Sequence, residues 1–201
     1  LNDQDIHSIT ASKIFNVNLK DVTSEMRSNA KTVNFGIIYG VSAFGLSEQS
    51  TLNRKESANL ISEYFINYPK LKIYIDDQIN FAKNNGFVQS ILGRKRYLRN
   101  INSRNSFIRS HDERNAVNMP IQGSAADIIK IAMINIHQEF VSRKMRSKMV
   151  LQVHDELVFD VFLPEKEEVR SIVKRKMESA YNAKVPLKVD IGFGNNWLSA
   201  H

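Results

Sequence analysis

Four side chains recur at a strict spacing of four, Arg27, Lys31, Phe35 and Tyr39, within the segment RSNAKTVNFGIIYG. A step of four advances about 40° beyond one full helical turn, so on a helix the four occupy an arc of roughly 120°. Thr23 or Ser24 can cap that helix at its start, and Glu25 places an acid in the first turn. Gly36 and Gly40 follow the two rings directly, where each costs about 1 kcal/mol of helix stability relative to alanine. Bare backbone beside a ring predicts that something approaches closely. Two readings of the ladder follow. In one, Arg27 and Lys31 form an outer stripe while Phe35 and Tyr39 face a core. In the other, all four face outward, with cations for phosphates and rings for a sugar and base.

The rest of the chain divides by periodicity. From about Asp5 to Phe81 apolar residues recur mainly at helical spacing, which predicts several consecutive helices, and Asn53 with Glu56 forms a capping box for one running towards Phe65. Asn84, Asn85 and Gly86 stop the last of these; FVQSIL, a turn around Gly93 and Arg94, and RYL predict a small hairpin. Pro120 is expected to interrupt the next helical pattern, with Ser124 and Asp127 capping a new long helix. MVLQV and ELVFDVF read as paired strands, Pro164 opens a helix with Val169, Ile172, Val173 and Met177 on one side, and LKVDIGF reads as a final strand. The expected class is α+β, a mostly helical part followed by a small antiparallel sheet backed by helices.

Between the paired strands stand His154, Asp155 and Glu156, read as a three-residue loop without the glycine or asparagine such loops favour. They are either solvated turn acids or a carboxylate presented for chemistry. Arg114, Asn118 and Gln122 repeat the spacing of four and can donate to minor-groove acceptors, which are similar for every base pair. From Gly86 to Arg114 there are seven Lys or Arg and two acids, either a solvated basic face or a phosphate track. Asp112 and Glu113 fall in an arginine-rich helical stretch and read as ion-pair partners.

The ladder resembles the fingers helix of family A DNA polymerases, the bacterial DNA polymerase I type. That family's pattern is Arg, three residues, Lys, seven residues, Tyr-Gly, which Arg27, Lys31, Tyr39 and Gly40 match without a gap. Single-subunit RNA polymerases share the coarse pattern, and the aromatic Phe35 favours the DNA enzymes. DIHSITA, PIQGSAADIIK, QVHDELVF and NNWLSAH extend the resemblance over essentially the whole chain.

The resemblance implies fingers over 1–110 and the C-terminal part of a right-hand palm over 111–201. His7, Arg27 and Lys31 would contact the triphosphate of a dNTP, with Lys31 a candidate general acid and Phe35 against the sugar and base. Tyr39 and Gly40 would sit at the templating position. Arg114, Asn118, Gln122, Gln152 and His154 would touch primer-template DNA. Asp155 would ligate Mg2+, with Glu156 as accessory carboxylate, in a two-ion nucleotidyl transfer. The partners implied are DNA and dNTP, the parent enzyme being a monomer of the bacterial cytoplasm and nucleoid. One departure limits this. The family's second aspartate lies in a motif resembling Asp-Tyr-Ser-Gln-Ile-Glu, which does not occur here, so the chain is expected to begin just after it. The thumb would also lie upstream, and the 201 residues alone are expected to polymerise poorly or not at all. The rival is a nucleic-acid-binding module that keeps the fold without the chemistry.

Composition fits a polyanionic partner, with 28 Lys and Arg against 21 Asp and Glu, a net charge of +7 and a pI near 9.6. The absence of cysteine excludes disulfides, thiolate metal sites and thiol nucleophiles. No apolar run reaches membrane-span length, and the polar start LNDQDIHS is unlike a signal peptide. GVSAFGLS has P-loop glycine spacing, but Leu46 stands where the lysine must be.

Overall fold

A computed structural model describes residues 5–50 and 52–200; residues 1–4, the first part of the polar start, lie outside it. The chain forms two compact units, divided between Ile121 and Gln122.

Five helices open the first unit: α1 (Ile6–Phe15), α2 (Ser24–Ile38), α3 (Ala43–Glu48), α4 (Arg54–Asn67) and α5 (Pro69–Asn85). Their boundaries follow capping chemistry. The Thr23 hydroxyl accepts from the Met26 amide to start α2. Asn53 and Glu56 form the full capping box of α4, and Gly86, at φ 73°, ends α5 in the left-handed region. A core of Val33, Ile37, Leu46, Leu60 and Tyr64 joins α2, α3 and α4, with Ile14 and Phe15 of α1 packed against it. Strands β1 (Phe87–Gln89) and β2 (Lys95–Tyr97) form the expected hairpin, in register Phe87 with Tyr97. Val88 enters a second core with Ala82, Leu98, Ile101, Ala116 and Met119.

The long helix corrects the sequence reading. Helix α6 (Ser106–Ser142) runs through Pro120 without a break, so Ser124 and Asp127 are interior residues and cap nothing. Proline in a helix interior removes one backbone donor and costs about 3 kcal/mol. Ala116, Val117 and Met119 before it, and Ile129, Ala132, Ile136 and Phe140 after it, are all buried at helical spacing. Burying a large apolar side chain contributes about 1.5–3 kcal/mol, so two or three of these outweigh the proline.

The second unit has a core of Ile136, Phe140, Val169, Ile172 and Val173, the last three from α7 (Lys166–Glu178). Leu157, Phe159 and Val161 pack on it from strand β4 (Glu156–Asp160) and the residues after it; β4 pairs antiparallel with β3 (Lys148–Val153). The Glu165 carboxylate clamps the entry to β3. It accepts from the Arg146 and Ser147 amides at 2.9 Å each and from the Ser147 hydroxyl at 2.6 Å, which holds it below the usual carboxylate range. A short helix, α8 (Trp197–Ala200), ends the described chain.

LKVDIGF is not a strand among the described residues. Residues 187–193 alternate between half-buried and exposed, and Ile191 packs on the core, yet no backbone ladder forms. Period-two alternation reports one-sided burial, whereas a ladder also needs a partner edge in register. The α+β class holds, with two two-stranded antiparallel sheets in a mostly helical chain. No helix among the described residues is long and apolar enough to cross a membrane.

Pro120→Ala is expected to raise the thermal unfolding midpoint, because restoring the helix donor and removing the ring clash is worth roughly 1–3 kcal/mol. A midpoint that falls would show that the ring is needed where it stands.

Candidate functional site

The buried face of α2 carries Asn29, Ala30, Val33, Asn34 and Ile37. The ladder therefore faces away: Phe35 and Tyr39 are 47% and 44% exposed, and Arg27 and Lys31 are exposed with them. This excludes the reading in which the rings face a core. Tyr39 stands one residue beyond the helix, but its amide still donates to the Phe35 carbonyl at 3.1 Å and continues the spiral.

The two glycines meet this chain's own side chains. A Cβ on Gly36 would lie 2.8 Å from Val41 Cγ1, and one on Gly40 would lie 2.8 Å from Arg114 Cγ. Gly40 also sits at φ 71°, in the left-handed region. The close approach anticipated beside the rings is thus made by the chain itself.

Helix α1 packs against α2 and brings three polar groups to the ladder's edge. The Asp5 carboxylate caps α1, accepting from the His7 and Ser8 amides at 3.3 and 3.1 Å and from the Ser8 hydroxyl at 2.6 Å. It also accepts from Arg27 Nε at 2.7 Å and Nη2 at 3.4 Å. The Arg27 guanidinium, and next the Ser8 hydroxyl, hold this carboxyl well below the usual range. Two residues on, His7 Nδ1 lies 2.9 Å from the Asn34 side-chain nitrogen, and its ring centroid is 5.6 Å from that of Phe35. The Thr10 hydroxyl donates to Asn34 Oδ1 at 3.2 Å and lies 3.3 Å from the Tyr68 hydroxyl. With the Asn34 amide nitrogen as donor, Nδ1 accepts and the ring proton sits on Nε2. Among the described residues no ion pair engages Lys31.

Sequence reasoning missed Asp5, Thr10, Asn34 and Tyr68. The first was within reach, since Asp5 and Ser8 in DIHSITA are a helix-start pattern. Asn34 was not, because nothing local distinguishes a buried asparagine from a surface one.

On α6, Arg114 and Asn118 share a face one turn apart, and Gln122 continues the spacing. Arg114 lies against Gly40, and Asn118 Oδ1 is buried with no hydrogen-bond partner among the described residues. Asp112 and Glu113 are structural. Asp112 accepts from the Asn100 amide at 2.7 Å, and Glu113 pairs with Lys83 and Arg109.

In the second unit, β3 and β4 pair up to Val153 with Glu156. The loop is therefore the two residues His154 and Asp155, not three, and Glu156 is the first residue of β4. His154 adopts φ 54°, which for a side-chain-bearing residue costs about 1–2 kcal/mol, and Gln152 Nε2 donates to the His154 carbonyl at 3.0 Å. Asp155 is exposed at the tip and Glu156 is half-buried. Among the described residues no cluster of three or more His, Asp or Glu converges. Asp155 and Glu156 offer hard oxygen donors of the kind magnesium takes, with water and phosphate oxygens completing its shell. They fit part of such a site.

The family model "DNA polymerase family A" matches residues 1–199. DNA polymerase I of Caldicellulosiruptor bescii is 51% identical over 196 residues, which is 98% of this chain and 23% of that protein. DNA polymerase I of Borreliella burgdorferi is 46% identical over 200 residues, all of this chain and 22% of that protein. The chain thus spans under a quarter of the length of these relatives. Among solved structures, the POL domain of Pol1 from M. smegmatis, in complex with DNA primer-template and dNTP, superposes with a TM-score of 0.92. It is 41% identical, and the match covers 98% of this chain and 35% of that one.

Gly40→Ala is expected to cost about 2 kcal/mol by thermal or urea unfolding, from backbone strain and the clash with Arg114. Gly86→Ala, where nothing lies within 4 Å, is expected to cost about half as much, from strain alone.

Proposed function

The chain belongs to DNA polymerase family A, and from that membership we propose that it is part of a template-directed DNA polymerase, with 1–110 serving as fingers and 111–201 as the C-terminal part of the palm. The observation that carries the reading is the outward-facing ladder of α2, whose spacing of cations and rings matches the parts of a nucleoside triphosphate. The M. smegmatis neighbour, solved with primer-template and dNTP, supports DNA and dNTP as the partners.

Arg27, Lys31 and the Nε2–H of His7 bind the triphosphate oxygens. Phe35 stacks against the incoming sugar and base, and Tyr39 with Gly40 lies at the templating base. Arg114, Asn118, Gln122, Gln152 and His154 grip the primer-template through minor-groove acceptors and the primer end. The primer 3′-hydroxyl gives up its proton to water, its oxygen attacks the α-phosphorus, the bond to the bridging oxygen breaks, and pyrophosphate departs. Lys31 is the general acid that donates a proton to that leaving group. Asp155, with Glu156 as the lesser donor, would hold magnesium, and a pair of such ions would supply Lewis-acid stabilisation of developing negative charge. Removing a group that organises the metal site raises the barrier by several kcal/mol, about 10²-fold or more in rate. The parent enzyme acts as a monomer at the bacterial nucleoid. Because the second family aspartate is missing from this sequence, the 201 residues alone bind nucleotide weakly and polymerise poorly.

Primer extension tests this. Asp155→Ala in the full-length protein is expected to lower kcat for dNTP incorporation at least about 10²-fold while primer-template affinity stays within about twofold. Undiminished incorporation would remove Asp155 from catalysis and favour the binding-module reading. Robust extension by the isolated 201 residues would refute the stated dependence on a further carboxylate outside them.

A further inference from the structure

We propose that Asp5 is a positioning residue for nucleotide binding, one carboxylate that orients Arg27 and anchors the first turn of α1, from which His7 projects. The inference rests on the reading of Arg27 as a triphosphate ligand.

Asp5 engages one edge of the guanidinium. It accepts from Nε at 2.7 Å and, more distantly, from Nη2 at 3.4 Å. Arginine has five N–H donors in a rigid plane, so holding this edge leaves both Nη1 donors and the second Nη2 donor directed away from the carboxylate. A carboxylate competing with a triphosphate would instead occupy the terminal edge. The same two oxygens accept from the His7 and Ser8 amides and the Ser8 hydroxyl. With five donors converging on it, the negative charge of Asp5 is largely neutralised before any phosphate arrives.

The pairing also reduces what nucleotide binding has to order. Arg27 is half exposed, and an unpaired arginine on a surface helix loses side-chain freedom when it binds a ligand. The Asp5 contact fixes the head group in advance. Lys31, one turn further along, makes no ion pair among the described residues and needs none, since its ammonium acts as a point charge without orientation. Asp5 therefore belongs with Arg27 specifically, and where the α1 cap is kept its effect on nucleotide binding must pass through Arg27.

The test uses the full-length protein, with kcat and KM for dNTP measured on a primer-template for Asp5→Asn, Asp5→Ser, Arg27→Ala and Asp5→Asn with Arg27→Ala. Asparagine and serine both still cap a helix, so α1 is retained, and thermal unfolding midpoints check this. The single Asp5 variants are expected to raise KM for dNTP about five- to tenfold with kcat within about twofold. In the Arg27→Ala background, Asp5→Asn is expected to add nothing further. An unchanged KM in both Asp5 variants overturns the proposal. So does a KM effect of equal size with and without Arg27, which would make Asp5 a cap only, or a KM that falls, which would make it a competitor. Should Arg27→Ala itself leave KM unchanged, the fault lies in the reading of the ladder as a triphosphate site; Arg27→Ala raising KM while the Asp5 variants do not isolates the failure to Asp5.

Discussion

Helix α2 has to satisfy two environments at once, and the rotation that does so sets the site. Its buried positions, Asn29, Ala30, Val33, Asn34 and Ile37, span one arc of the helix, and the ladder from Arg27 to Tyr39 spans another. At 100° per residue the centres of the two arcs lie roughly 150° apart. Burying Val33 and Ile37 in the first core thus turns both cations and both rings to the outside. A slip of one residue would rotate the ladder by about 100° and carry part of it into the core.

Asn34 lies at the seam between the arcs, which explains why a polar residue is buried there. Its amide is satisfied on one side by the Thr10 hydroxyl and meets His7 on the other. A buried amide lacking such partners would cost about 1–3 kcal/mol. Packing α1 on α2 therefore depends on these polar contacts, and the same contacts orient the histidine. Asp5 closes the other end of the seam against Arg27. Structure and candidate function draw on the same hydrogen bonds here, so the supporting residues are harder to alter than a surface site usually is.

The readable parts of the fold were those set by local chemistry. The Thr23 cap, the Asn53 and Glu56 box, Gly86 after α5 and the hairpin around Gly93 are all decided within a few residues. The misread parts needed distant partners. Pro120 looks like a break because its cost is local, but the cores on either side of it lie elsewhere in the sequence. Residues 187–193 alternate like a strand because Ile191 is buried, though no edge pairs with them. The carboxylate loop was read one residue too long, because the register that pairs Val153 with Glu156 is set across the hairpin.

For the site itself, spacing alone determined that Arg27, Lys31, Phe35 and Tyr39 share one face, since helical periodicity is a property of the backbone. The acid-bearing turn at Asp155 was likewise visible from the two apolar runs beside it. Sequence could not say whether the ladder faced a core or solvent, why Gly36 and Gly40 are bare, or what holds Arg27 and His7. Those answers required Val41 and Arg114 to be placed against the two glycines, Asp5 against Arg27 and Asn34 against His7. Periodicity fixes which side chains travel together; only the packing of α1, α3 and α4 on α2, with Arg114 against Gly40, decides which way they point and what they meet.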